Sequence, residues 1–239
     1  MAQSRFQILF WSAYSRVYDG LLKLRPYADL VADSVDRLDV TEGAVVVDLG
    51  CGTGNCLNAV VAKYKGLPTE LIGVDSSPQM LKTASRKLSS DRRIQLFNAS
   101  LLDWLGDRSP DSVDAAISVN VLYTMQPSDR ERFWAGLGAA LKRGGSAVVV
   151  TTDRPGIGPV AKEHFAEVPL WRAFPPRLVA VLLMNMVIWM FESNSVYDPA
   201  SLETLVSEAE SAGLSVVETQ RCYGGSVDGV DVMLVLTRD

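Results

Sequence analysis

The sequence predicts an α/β protein: a doubly wound, mostly parallel seven-stranded sheet with helices on both faces, a last strand running antiparallel, and a helical cap. Three observations carry this. Short apolar runs alternate with stretches of helical spacing along most of the 239 residues. The first run, Ala44-Val-Val-Val-Asp48, is apolar without a break, as strands buried on both faces of a parallel sheet are. A glycine-rich turn follows it at once.

The elements follow in order. Tyr14, Val17, Tyr18, Leu21 and Leu22, then Leu30, Val31, Val35 and Leu38, recur at three- and four-residue spacings, so residues 1–40 read as a helical N-terminal segment, with Pro26 dividing two helices. After strand 44–48, a helical stretch (Cys56 to Lys65) leads to strand Leu71–Val74. Helix 78–88 leads to strand Ile94–Phe97, and Val113–Val119 is a fourth strand. Helix 128–142 is read as stopping at Gly144-Gly145, before a fifth strand over Ser146–Thr151. Residues 153–200 break this rhythm and read as an insertion, an apolar cap over the ligand face. A helix over 201–212 then ends at Gly213, and strands Leu214–Gln220 and Val230–Thr237 close the sheet as a hairpin across Gly224-Gly225. The chain thus reads as one domain, 1–239, with a lid at 1–40 and a cap at 153–200.

Composition excludes several classes. Hydrophobic residues at 48% and charged residues at 21% exclude a disordered chain. A net charge of −5 argues against nucleic acid as the main partner. Three scattered cysteines and one histidine, His164, give neither a disulfide framework nor zinc spacing, so no metal is expected and a cytoplasmic, reducing compartment is the default. Met1–Trp11 lacks the apolar core and cleavage site of a signal peptide. The run Leu178–Phe191 is about half to two-thirds of the roughly 20 residues a membrane span needs, so it reads as core helix, pocket wall, dimer surface or peripheral membrane contact.

The segment Asp48-Leu-Gly50-Cys51-Gly52-Thr53-Gly54-Asn55 carries the chemistry. A buried strand running into alternating glycines lets the turn tighten and a ligand approach bare backbone, beside N–H groups of the next helix that hold negative charge. A nicotinamide fingerprint would need glycine at 55, where Asn55 stands. Asp75 ends the next strand, 21 residues after Gly54, the distance at which an acid grips ribose hydroxyls; a plain helix cap over Asp75-Ser-Ser-Pro78 is the alternative.

These residues, with Gly73-Val-Asp75-Ser-Ser-Pro-Gln-Met-Leu81, resemble the class I S-adenosylmethionine (SAM) dependent methyltransferases of small-molecule type, a Rossmann-like family, over about residues 40–152. The resemblance implies SAM as cofactor and a position-by-position site. Gly50 and Gly52 lie beneath the methionine part, Asp48 organises the loop, and Cys51 and Asn55 belong to the same seat. Asp75 holds the ribose, and Ser76 or Met80 flanks the adenine. Asn98-Ala99-Ser100 meets the adenine amine, with Asn98 replacing the acid usual in the family. Ser118 to Asn120 faces the methionyl group and the acceptor. Tyr14 and Tyr18 belong to a helix that closes over SAM; two tyrosines four apart also suit one packing face. The Cys51 and Cys56 thiols read as small packing groups.

Methyl transfer needs alignment and water exclusion more than a base, so the catalytic candidates are Asn120, Tyr14 and His164, the last as an optional base. Trp171, Phe174, Met184, Met186, Trp189, Met190 and Phe191 point to a small lipophilic or aromatic acceptor, met by a monomer or homodimer. The competing readings are a SAM-using enzyme that cyclises or cleaves SAM itself and releases methylthioadenosine, a non-catalytic SAM-binding module and, more distantly, a nicotinamide oxidoreductase.

Overall fold

The computed structural model describes residues 5–16, 18–23, 25–65, 67, 70–153, 179, 183, 186–191, 197–222 and 229–239. Its described elements include α1 (Arg5–Tyr14), α2 (Arg25–Asp36), β1 (Val45–Leu49), α3 (Asn55–Lys63), β2 (Glu70–Asp75), α4 (Pro78–Lys87), β3 (Ile94–Asn98), α5 (Leu101–Gly106), β4 (Val113–Val119), α6 (Pro127–Ala140), β5 (Leu141–Thr152), α7 (Leu202–Ser211), β6 (Ser215–Cys222) and β7 (Asp231–Thr237). Short 3-10 turns stand at Tyr18–Lys23 and Leu122–Thr124.

The strands form one seven-stranded sheet in the order β3-β2-β1-β4-β5-β7-β6. β1 to β5 are parallel, and β7 runs antiparallel to both β5 and β6. From β1 the chain winds outward through β2 and β3, then returns to place β4 on the other side of β1. The order therefore reverses between β1 and β4, where a crevice opens at the carboxyl ends of the strands.

The uninterrupted apolar run of β1 is explained by burial on both faces. Val46 packs with the layer of α1 to α4, and Val47 with the layer of α5, α6 and α7. The first layer joins Tyr14, Leu30, Leu57 and Ala84, and the second joins Trp104, Phe133, Trp134 and Leu205.

Two boundaries differ from expectation. Pro26 does not divide the N-terminal helices: it sits in the first turn of α2, where its missing N–H costs nothing, and the 3-10 turn makes the division. Gly144-Gly145 does not stop a helix. Helix α6 ends at Ala140, and both glycines lie inside β5, where the Gly144 N–H donates to the Arg238 carbonyl (2.6 Å) and a side chain on Gly145 would come within 2.9 Å of the Asp114 carbonyl. Gly144 takes a left-handed φ of +75° with open space around it, and Gly145 allows close backbone approach, at an irregularity in the β4–β5 register.

In the apolar stretch, residues 186–191 are helical; Ile188 and Phe191 join the core, while Met186, Trp189 and Met190 are exposed. No described helix is long and apolar enough to cross a membrane. His164, Trp171, Phe174, Met184 and the Gly224-Gly225 link lie outside the described residues.

Candidate active site

β1 delivers the chain into the glycine loop, and the loop is shaped by what it cannot contain. Gly50 has φ +83°, a left-handed conformation, and a Cβ there would lie 2.3 Å from Val121 Cγ2, so no other residue fits. Its N–H and that of Cys51 donate to the Val74 carbonyl (2.8 and 3.0 Å), hanging the loop on the end of β2. A side chain on Gly52 would meet the Tyr18 ring at 3.9 Å: the lid lies directly over the loop.

Asp75, at the end of β2, uses both carboxylate oxygens locally. One accepts from the Gly52 N–H (2.9 Å), the other from the Ser77 N–H (2.7 Å). The expected ribose acid therefore also shapes the glycine loop, and each oxygen retains a lone pair for a ligand hydroxyl. Burial pushes its pKa up against these two bonds. The cap alternative is real too, but it belongs to Ser77, whose hydroxyl accepts from the Met80 N–H at the start of α4 (3.4 Å). Met80 itself is buried and Ser76 exposed. At the end of β3 the Asn98 side-chain nitrogen and the Ala99 N–H both donate to the Asp75 carbonyl (3.1 and 3.2 Å). This orientation turns the Asn98 Oδ1 away from that carbonyl, as an acceptor. Ser100 is exposed at the start of α5.

Asp48 is 2% exposed, and one of its oxygens has no partner among the described residues. Burial, then the nearby Asp75 charge, drive its pKa up to about 8, opposed by the Leu57 N–H. An acid this deep with an open oxygen is suited to a cationic ligand group. Asn120 follows β4 across the crevice. It holds φ +59°, its N–H donates to the Val150 carbonyl (2.8 Å), and its side-chain oxygen is buried without a partner among the described residues. The Ser118 hydroxyl is buried and donates to the Leu49 carbonyl (2.8 Å), tying β4 to β1 where both strands approach the crevice.

Tyr14 and Tyr18 sit together on the lid, their ring centroids 5.2 Å apart. Tyr14 is 1% exposed, so the packing-face reading holds for it as geometry. The Tyr18 hydroxyl accepts from that of Tyr27 (3.4 Å), and burial raises its pKa. Cys51 and Cys56 are buried free thiols with pKa values raised by burial, the state of packing groups rather than nucleophiles.

Sequence reasoning missed one cluster. Lys87, ending α4, donates to Asp19 (2.7 Å), Asn55 Oδ1 (2.6 Å) and Thr53 (3.3 Å), while the Thr53 hydroxyl donates to Asp19 (2.6 Å). No motif spacing links residues 19, 53, 55 and 87. Only the packing of α4 against Gly54, through Ala84 and Leu88, brings them together.

The fit to a nucleoside carrying a cationic amino-acid chain is now testable on the residues themselves. There is bare backbone at Gly50 and Gly52, an acid at the ribose distance, a buried unpartnered carboxylate oxygen at Asp48, and unpartnered amide groups at Asn55 Nδ2 and Asn120 Oδ1. Fold and site thus define a doubly wound nucleoside-binding protein whose loop departs from the nicotinamide pattern.

Comparison with known proteins sharpens that class. Residues 46–145 match a family described as "Methyltransferase domain". Trans-aconitate 2-methyltransferase of Methylobacterium radiotolerans is 33% identical over 102 residues, 43% of this chain and 35% of that protein. The chain thus spans about a third of the length of that curated relative. Among solved structures, a methyltransferase in complex with the Haloferax volcanii Trm112 activator superposes with a TM-score of 0.66 at 18% identity, covering 95% of this chain and 96% of the other. Geranyl diphosphate methyltransferase in complex with SAM gives 0.64 at 15% identity, over 94% and 89%. Residues 46–145 thus match the methyltransferase domain, the fold of the whole described chain is that of solved SAM-dependent methyltransferases, and SAM is the cofactor.

Proposed function

We propose that the protein transfers the SAM methyl group to a small, lipophilic or aromatic acceptor. One observation supports the acceptor class: a continuous wall of aromatic rings packed on one another within the core layer that runs from the glycine loop to the turn after β4. Centroid distances run 5.2 Å from Tyr18 to Tyr14, 5.8 Å to Phe10, 5.4 Å to Phe191, 5.2 Å to Tyr197 and 5.5 Å to Tyr123. Such a wall suits a flat apolar guest, and its ring faces favour a nearby cation.

When bound, SAM supplies a methyl already activated on a sulfonium, ready for in-line displacement. The protein supplies position and dryness. Gly50 and Gly52 admit the cofactor to backbone contact, Asp75 holds its hydroxyls, and Asp48 meets its ammonium. Asn98 offers an acceptor to the adenine amine, and the rings of Tyr14 and Phe10 keep water out. Orientation of this kind is worth roughly 7–11 kcal/mol of barrier. The unpartnered Asn120 oxygen accepts a hydrogen bond from the acceptor group and so aims it. The three free cysteines support a reducing, cytoplasmic setting.

A second reading comes from the relative's name: a polycarboxylate acceptor such as trans-aconitate. One experiment separates them. The protein is incubated with SAM and either a panel of phenols, quinols and isoprenoids or trans-aconitate, and nucleoside products are resolved by mass spectrometry. S-Adenosylhomocysteine formed with the apolar panel supports the proposal. Formation only with trans-aconitate replaces its acceptor. Methylthioadenosine without an acceptor replaces methyl transfer with cyclisation or cleavage of SAM.

A further inference from the structure

The Lys87 cluster joins three parts of the molecule that cofactor binding must coordinate. Asp19 belongs to the 3-10 turn of the lid, Thr53 and Asn55 to the glycine loop and the first turn of α3, and Lys87 to the last turn of α4. The ammonium has three protons and meets three oxygens, those of Asp19, Asn55 and Thr53, at 2.7, 2.6 and 3.3 Å. The Lys87 side chain keeps 21% of its exposure and Asp19 41%, so the ion pair by itself would contribute little. Its geometry has a larger consequence.

An amide side chain has one accepting and one donating end. Because Lys87 can only donate, Asn55 must present Oδ1 to it, and Nδ2 then points the other way. Nδ2 is buried with no partner, on a residue 5% exposed, at the head of α3 where backbone N–H groups also face the loop. The same ammonium holds Asp19, one residue from the Tyr18 ring that lies over Gly52. One charge thereby sets both the lid above the loop and the direction of the amide donors beneath it.

We propose that Lys87 is a positioning residue for the cofactor site, locking the lid through Asp19 and turning the Asn55 donors toward the negatively charged end of the cofactor. The inference rests on the SAM site argued above and adds to it residues that bind nothing themselves. Breaking the clasp leaves the entry route unchanged but removes the lock, so the effect falls on the dissociation rate.

The test compares native protein with Lys87→Met, Lys87→Arg, Asp19→Asn and the double variant Lys87→Met/Asp19→Asn. SAM affinity is measured by calorimetry, its release by stopped-flow fluorescence, and stability by thermal melting. Each single neutral variant is expected to weaken SAM binding about 10- to 100-fold, mostly through faster release, with a melting temperature within a few degrees of native. The double variant is expected to be no weaker than the worse single one, because both break one device. Lys87→Arg, which keeps the charge, is expected to recover part of the affinity. Native affinity and release in Lys87→Met overturn the proposal, as do additive losses in the double variant. A drop in melting temperature with affinity intact makes Lys87 a structural residue and overturns it equally. Native protein that binds no SAM overturns the cofactor assignment itself, and this inference with it.

Discussion

Replacing Asp48 with Asn isolates the main electrostatic feature of the site. In the folded protein the carboxyl is held at a pKa of about 8, against an ordinary value of 3.8. A shift of about four units corresponds to on the order of 5 kcal/mol favouring the neutral form. The raised pKa fixes the sign. The native state keeps its proton where the unfolded chain has lost it, so this contribution is complete below about pH 4 and is lost as pH rises through about 8. Asn keeps an oxygen for the Leu57 N–H and removes the ionisation. Without ligand, Asp48→Asn is therefore expected to melt like native protein at pH 4 and well above it at pH 8, by about 10 °C for several kcal/mol in a chain of this size. With SAM the order reverses: native protein gains a carboxylate–ammonium pair that the variant cannot form, so SAM raises the melting temperature of native protein much more. The assay is thermal melting at pH 5, 7 and 8.5 with and without SAM, together with calorimetric affinity. An Asn variant that is less stable than native at pH 8.5 and binds SAM as well would refute both the strained acid and its role.

Asp75→Ala removes the proposed ribose acid and also the acceptor of the Gly52 and Ser77 N–H groups, so SAM affinity should fall by about 1–3 kcal/mol, roughly 5- to 150-fold, in calorimetry. Asn120→Gly relieves a left-handed residue at φ +59°: stability should hold or rise by up to about 1 kcal/mol in denaturant titration while product yield falls, because the unpartnered oxygen is gone. Asp231, 3% exposed and bonded to the Thr152 hydroxyl (2.9 Å), has its pKa raised to about 7 by burial and then by Asp153. Its contribution is likewise lost as pH rises from about 4 through 7, so Asp231→Asn should flatten that part of the pH–stability curve; an unchanged curve would contradict the raised pKa.

Much of the architecture was legible because it is local. The unbroken β1 run, the alternation of strands and helices and the turn at Gly50-Cys51-Gly52 each state their structure within a few residues, and the match to the methyltransferase family bears out the cofactor. The reading failed where a local signal had two causes. Two glycines after a helix look like a stop, but within β5 Gly144 supplies a left-handed φ and Gly145 a close backbone approach.

What the sequence determined alone was therefore the fold class, the glycine loop and the acid at position 75, because hydrophobic period and missing side chains act over one turn or one strand. Only the tertiary structure decided that Lys87 meets Asp19, Thr53 and Asn55, that Asp48 and Asn120 keep unpartnered oxygens, and that rings from residues 10 to 197 form one wall. These depend on the packing of elements distant in the chain, where the energy of a contact resides in three-dimensional neighbours that no spacing records.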